Sequence, residues 1–358
     1  MRHTALYHAH VALGARIVEF SGWDMPIQYS RGVLAEHDAV RRRAGVFDVS
    51  HMGRIRIRGE NAVESLNHIV TSNILRLRVG RARYGLICNE SGGILDDVVV
   101  MRLNTDEFLL VCNAASWDRI LGWLNGHATG VTITPERDET AMLAVQGPAA
   151  ADILAPLCGG PIADMGRFAC RTVAVAGVDA IVSRTGYTGE DGFEVILPSQ
   201  DAERVWSTLV REGEAEPCGL AARDVLRLEA GLMLYGQDMD TAVTPPEAGL
   251  ERFMDMDTDF IGADSIRAHT QSGIAKRLTG LIAPGRSAPR HGYPVRLNDG
   301  RESVITSGSY SPSLGRSIAL AYLPMDSAMP GVEVEVDIRG RGVRATTAPL
   351  PFLQPRRS

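Results

Sequence analysis

Tyr84-Gly-Leu-Ile-Cys-Asn-Glu-Ser-Gly-Gly-Ile-Leu-Asp-Asp-Val-Val-Val-Met-Arg-Leu-Asn-Thr-Asp-Glu-Phe-Leu-Leu-Val-Cys-Asn113 is the stretch on which the fold turns. Residues 84–88 are apolar, 89–93 carry turn residues, 94–103 form a second apolar run and 109–112 a third, so the pattern predicts a strand, a hairpin and a further strand. Residues 116–125 follow with helical spacing and place Ile120, Leu121 and Leu124 inward. Consecutive strands followed by a covering helix give an antiparallel sheet packed on one face, an α+β arrangement.

The flanks extend the pattern. Residues 53–58, Gly-Arg-Ile-Arg-Ile-Arg, alternate strictly and predict a strand with one apolar face. Asn61 and Glu64 read as a helix N-cap pair ahead of the stripe Val63, Leu66, Val70. Residues 33–43 predict a helix that stops before Gly45. Mixed character returns at 140–235, with a helix near Ala149, strands at 173–183 and 193–197, and helices at 202–211 and 221–232. From about residue 275 the chain becomes strands and turns. Val332, Val334, Val336 and Ile338 alternate with acidic residues, and Gly340-Arg-Gly342 supplies a hairpin turn.

Within the deciding stretch, Asp96 and Asp97 interrupt an apolar strand. Alternation puts them on opposite faces, Asp97 with Leu95, Val99, Met101 and Leu103, and Asp96 with Ile94, Val98, Val100 and Arg102. A carboxylate on the more apolar face is costly unless paired, and desolvation raises its pKa toward acid–base work. An edge-strand or turn-capping aspartate is the alternative. In residues 183–194 the glycines Gly186, Gly189 and Gly192 allow close backbone approach, but the strand that follows lacks the strand–turn–helix context of a dinucleotide loop. The segment reads as a hairpin presenting Tyr187 and Glu194 to a pocket, or as a solvated one. Arg223 and Arg227 fall four apart on a helix face, suited to a carboxylate ligand or to salt bridges with Asp224 and Glu229. His51 reads as a hydrogen-bonded structural histidine or a polar site residue.

Composition excludes several chemistries. Of 37 basic residues only Lys276 is lysine, so a Schiff-base mechanism would have to rest on that residue. No Gly-Lys-Ser/Thr P-loop occurs. A net charge of −6 argues against a general nucleic-acid or membrane-surface binder, and no apolar run is long enough to span a bilayer. The polar N-terminal residues lack a signal-peptide core, which places the protein in the cytoplasm as an expectation. Cys88, Cys112, Cys158, Cys170 and Cys218 form no Cys-x-x-Cys pair and read as reduced thiols, and the histidines show no metal-ligand spacing.

Together the motifs resemble the aminomethyltransferase family, the T-protein of the glycine cleavage system, from Leu6 to about Phe352. They are Gly22-Trp-Asp-Met-Pro26, Gly45-Val-Phe-Asp-Val-Ser-His-Met52, Asn89 to Asp97, Val145-Gln-Gly-Pro148, Arg184-Thr-Gly-Tyr-Thr-Gly-Glu190, Ala222 to Ala230, Tyr235-Gly-Gln-Asp-Met239 and Ile305 to Pro312. The resemblance implies three domains in a clover around a folate channel: 1–50 with 140–272 as a discontinuous folate-binding domain, 51–139 as an inserted α+β domain carrying Asp97, and 273–358 as a C-terminal β-barrel or jelly-roll-like domain. It implies transfer of an aminomethyl carbon from the lipoyl arm of H-protein to tetrahydrofolate with release of ammonia. Residue by residue, it assigns catalysis to Asp97, folate contacts to Tyr84, Asn113 and Tyr187, the pterin anchor to Glu194 and the carboxylate end of folate to Arg223, leaving Arg227 structural.

Four departures from the family pattern stand out: Met101 for a tyrosine, Cys112 for a valine, Glu251-Arg-Phe-Met-Asp-Met for Gly-Trp, and Pro351-Phe-Leu-Gln with Arg356 and Arg357 after it. The first two are expected at the folate pocket, the others at the channel mouth or in domain packing. They keep open a tetrahydrofolate-dependent demethylase of a methylated small molecule. A non-catalytic folate-binding module is the third reading.

Overall fold

The computed structural model describes residues 1–354; Arg356 and Arg357 lie outside the described residues. The deciding stretch folds as an antiparallel meander of Arg81–Cys88, Ile94–Asn104 and Glu107–Cys112, which Gly53–Arg58 and Thr132–Pro135 extend to a five-stranded sheet. Ile87 pairs with Asp96 but Cys88 pairs with Ile94, so Leu95 is an extra residue. Such a bulge breaks the alternation. Leu95 therefore packs with Val98 and Val100 on the Asp96 side, contrary to strict alternation, while Ile94 joins a different cluster. Helices Ala62–Ile69 and Trp117–His127 cover this face, burying Leu66, Ile69, Ile120 and Leu124 against Ile55, Ile57 and Leu110. Leu121 is only half-buried. Asn61 holds the cap position but makes no side-chain cap bond; its amide donates to the Thr129 carbonyl at 2.9 Å.

The second sheet has six strands in the order Cys170–Val175, Val178–Ser183, Gly192–Pro198, Thr140–Gln146, Gly45–Asp48 and Glu216–Pro217. The expected single strand at 173–183 is a hairpin, turned at Ala176 and Gly177 with φ of 48° and 75°. One face packs on Val205, Trp206 and Leu209 of helix Ala202–Arg211. The other meets the first sheet in an apolar seam, with Met101, Leu109 and Val111 against Phe47, Met142, Ala144 and Ile196. Burial on both faces explains runs such as Val98–Met101 that do not alternate with polar residues. In Gly53–Arg58 the charged face runs from buried to exposed: Arg54 is fully buried, Arg56 half-buried and Arg58 exposed.

Six further strands, Lys276–Ala283, Arg316–Pro324, Glu302–Ser311, Pro294–Leu297, Glu333–Ile338 and Arg341–Ala348, close into a barrel. Val334, Val336 and Ile338 point into its core as the alternation requires. Its last hairpin turns at Arg339 and Gly340, one residue earlier than the Gly-Arg-Gly signal suggests, because Ile338 pairs with Arg341. No helix among the described residues is long and apolar enough to cross a membrane. The five cysteines are unpaired.

Helix Leu220–Glu229 joins the seam to the barrel. Its last residue, Glu229, is fully buried and accepts bonds from Ser311 Oγ at 2.5 Å, His37 Nε2 at 2.8 Å and Arg41 Nη2 at 2.6 Å. Burial alone would raise its pKa, but the His37 and Ser311 bonds and the Arg41 charge bring it from 4.5 down to about 2. A depressed carboxylate contributes stability that is complete above its unfolded pKa and lost as pH falls through the folded one. Glu229→Gln is therefore expected to lower stability by on the order of 3 kcal/mol at neutral pH. In thermal melts the gap to the parent should narrow below about pH 4.5; a gap constant down to about pH 3 would refute the assignment.

Candidate active site

Where the seam ends against the barrel it opens into a cavity of about 1820 Å³. Single-ligand pockets run to about 300–1,000 Å³, so this one is larger than one small ligand needs. Asp97, Tyr84, Asn113, Tyr187, Glu194 and Arg223 all line it.

The bulge at Leu95 sets the carboxylates. Asp96 is fully buried and accepts from Asn113 N at 3.0 Å and Asn113 Nδ2 at 2.8 Å, and its Oδ2 shares a hydrogen bond of 2.5 Å with Ser116 Oγ. Asp97 faces the cavity and accepts from Asn113 Nδ2 at 2.7 Å and from the Tyr84 phenol. Asn113 thus commits its side-chain N–H groups to the two aspartates, and only its Oδ1 is available to a ligand. Burial raises the pKa of both carboxyls, and the charge of Asp97 raises Asp96 further. Among the described residues neither aspartate lies within ion-pair distance of a cation. Asp96, rather than Asp97, is on the drier face.

The glycine-rich hairpin is packed, not solvated. A Cβ on Gly186 would stand 1.9 Å from Gln146 Oε1, and Gly189, at φ +77°, sits against Ala230. Thr188 Oγ1 donates to Gln146 Oε1 at 2.9 Å, which locks the turn. The turn delivers Tyr187, whose hydroxyl donates to the Met233 carbonyl, and leads into the strand carrying Glu194. Glu194 is buried, accepts from Thr185 Oγ1 at 2.5 Å, and has its pKa raised by burial against the pull of Thr185 and the Arg223 charge.

Arg223 is nine-tenths buried, lies over the Tyr187 ring at 4.8 Å, and has a buried Nη1 without a partner. His51 also lines the cavity, with a buried Nδ1 lacking a partner. Burial outweighs the nearby Asp48 and, with the Arg223 charge, pushes its pKa down to about 3, so the ring is neutral. Arg227 is used within the fold.

Two of the sequence departures move away from the site. Met101 lies in the seam core and Cys112 under the helix-covered face; both are fully buried and neither lines the cavity. Arg252 and Phe253 do line it, with Phe253 edge-on to Tyr84 at 4.5 Å. The motif reading passed over the rim, where Arg167, Arg252, Arg286, Arg290 and Arg339 are exposed lining residues. Among the described residues none of these five stands in an ion pair. Their signal in the sequence is weak: single arginines in turns, such as Arg286 and Arg290 in Pro284-Gly-Arg-Ser-Ala-Pro-Arg290.

Fold and cavity together define an α+β enzyme whose site is shared by two sheets and a barrel. The family model described as the GCVT N-terminal domain matches residues 6–258, and the glycine cleavage T-protein C-terminal barrel domain matches 276–354. An aminomethyltransferase of Rubrobacter xylanophilus is 45% identical over 100% of this chain and 96% of its own, and that of Geobacillus kaustophilus 42% over 98% of each. The crystal structure of glycine cleavage system aminomethyltransferase T from Bartonella henselae superposes with a TM-score of 0.94 at 35% identity, covering 99% of both chains. The chain belongs to the aminomethyltransferase family.

The close approach at Gly186 gives a sharp test of the hairpin. Gly186→Ala should force Gln146 aside and destabilise the fold by about 1–3 kcal/mol, read as a fall in Tm; an unchanged Tm would mean the hairpin is not seated on Gln146.

Proposed function

We propose that the protein transfers the methylene carbon of an aminomethyl group, carried on the dihydrolipoyl arm of H-protein, to tetrahydrofolate with release of ammonia. The observation that carries this reading is that one cavity presents a ligand-facing carboxylate, Asp97, and a second buried carboxylate, Glu194, with Tyr84 and Tyr187 between the same walls. The residues fit a pterin. Glu194 accepts from its N–H edge, the unpartnered Arg223 Nη1 donates to an adjacent oxygen, and aromatic faces hold the ring. Arg223 lies with Glu194 and Tyr187 rather than at the rim, so we assign the carboxylate tail to the exposed rim arginines instead.

Tetrahydrofolate supplies the two nitrogens that take up the carbon. The carbon stays at the formaldehyde level: its bonds to sulfur and to the amine break, two bonds to nitrogen form, and the two protons released leave on the thiol and on ammonium. Asp97 orients the reacting amine and stabilises the positive charge that develops on the carbon and its nitrogen. Asn113 and Tyr84 hold Asp97 in place. The seam and the Tyr84–Phe253 contact place apolar walls beside the carboxylate. The three domains are assigned as 1–50 with 140–272, 51–139, and 273–358, meeting at the cavity. Because Met101 lies in the seam, it gives no support to a demethylase.

A donor panel with tetrahydrofolate tests the reaction. Ammonia should form with aminomethyl-lipoyl H-protein, and no ammonia with turnover of a methylated small molecule would sink the proposal. Asp97→Asn should lower kcat by about a hundredfold or more while tetrahydrofolate binding changes little. Lys276→Arg, outside the cavity lining and over the Tyr322 ring, should retain activity; a large loss would misplace the chemistry.

A further inference from the structure

We infer that Asp96 holds a proton at neutral pH, so that Asp97 alone faces the cavity as an anion; Asp96 is then a positioning residue for the transfer. The inference rests on Asp97 being the reacting carboxylate.

Both carboxylates converge on one amide. Asn113 Nδ2 lies 2.8 Å from Asp96 Oδ1 and 2.7 Å from Asp97 Oδ1. Two anions bridged this closely away from bulk water repel, and such pairs keep a proton between them. The Asn113 and Ser116 hydrogen bonds oppose that repulsion, but no cation faces Asp96 among the titratable groups around it. Those groups are Asp97 on its own strand, Tyr84 on the neighbouring strand, Cys112 at the end of the third, and Tyr235 from the segment beyond helix Leu220–Glu229. Arg119, on the covering helix, is bound to the Tyr235 hydroxyl and reaches the Leu95 carbonyl.

Hydrogen-bond chemistry decides which carboxyl is neutral. The Asn113 amide can only donate to Asp97, and the Tyr84 hydroxyl, which has no other acceptor among the described residues, donates to it as well. Asp96 has a partner that can accept. Ser116 Oγ lies 2.5 Å from Asp96 Oδ2 and 3.1 Å from the Asn113 carbonyl. The hydroxyl has one proton and two acceptors, so both contacts are hydrogen bonds when Asp96 donates to Ser116 and Ser116 donates to the carbonyl. Asp96 is also fully buried, whereas Asp97 has the cavity on one side, so neutralising Asp96 removes the larger desolvation cost. A neutral Asp96 leaves Asp97 charged toward a cationic reaction centre and still fixes the Asn113 amide.

Difference infrared spectra of the full chain without substrate test this directly. At neutral pH the parent should show a protonated-carboxyl C=O band that disappears in Asp96→Asn and shifts in Ser116→Ala, which removes the acceptor. Kinetics supply a second readout. Asp96→Ala strands Asn113 and Ser116 and should lower kcat by about tenfold or more with less change in KM for tetrahydrofolate. Asp96→Asn, an acceptor for Asn113 and a donor to Ser116, should restore most of that loss. Absence of the band from the parent, its persistence in Asp96→Asn, an unshifted band in Ser116→Ala, or an Asp96→Asn defect as large as that of Asp96→Ala would overturn the inference. The infrared result needs no donor, so it stands or falls separately from the aminomethyl reading.

Discussion

The buried guanidinium of Arg227 fixes how the three layers meet. It donates to Asp238 at 2.6 Å, Asp224 at 2.8 Å, Ser307 of the barrel at 2.7 Å and the Leu232 carbonyl at 3.1 Å. Asp238 also accepts from Thr306 Oγ1 at 2.6 Å. Moving such a charge out of water is expensive, and it is tolerated only with its partners in place. The helix therefore has one seating against the barrel. Arg223 sits one turn earlier on the same face, so that seating also brings it to the cavity. Glu229 closes the other end onto His37 and Arg41 of helix Val33–Arg42. A cavity-lining residue, a joint and an anchor share a helix of ten residues.

The cavity carboxylates Glu194 and Asp97 stand in different environments. Glu194 is paired with a hydroxyl and lies within the field of Arg223, an environment that holds a polar-edged ligand in an apolar wall. Asp97 has no cation beside it among the described residues, only an amide and a phenol. A carboxylate left without a countercharge is attracted most strongly to a cation that arrives with the reaction. The tight Asp–Arg pairing used at Arg227 would have weakened that attraction.

Much of this was legible in the sequence. Element types along 81–127 follow from apolar periodicity and turn residues, and the barrel strand at 333–338 from strict alternation. That Glu194 and Tyr187 share the cavity with Asp97 was legible only through motifs, since no local property sets them apart from a solvated hairpin. What escaped has one physical cause: contacts between segments distant in sequence. The Leu95 bulge is fixed by pairing with Cys88, and the closeness of Arg223 to Glu194 by the seating of a helix. Arg54 looked like a solvent-facing strand residue until Thr140 and Arg137, more than 80 positions away, supplied its acceptors. The displacement of Met101 and Cys112 from the pocket has the same origin, because the facing sheet and the covering helix decide what each strand face meets.

The scarcity of lysine fits the same physics. Arg54 has five N–H donors, and all are used, on Ser50, Met52, Arg137 and both oxygens of Thr140. Burial lowers its pKa only to about 10, so it stays charged. A lysine there would offer three donors in another geometry and would readily lose its proton. Arg223 and Arg227 face the same constraint, each buried and each required as a cation at neutral pH. A fold that places permanent charges in dry seams needs guanidinium groups. The reaction proposed above draws on carboxylates and guanidinium groups and has no use for an amine. Lys276, half-buried at the start of the barrel, stands outside both requirements.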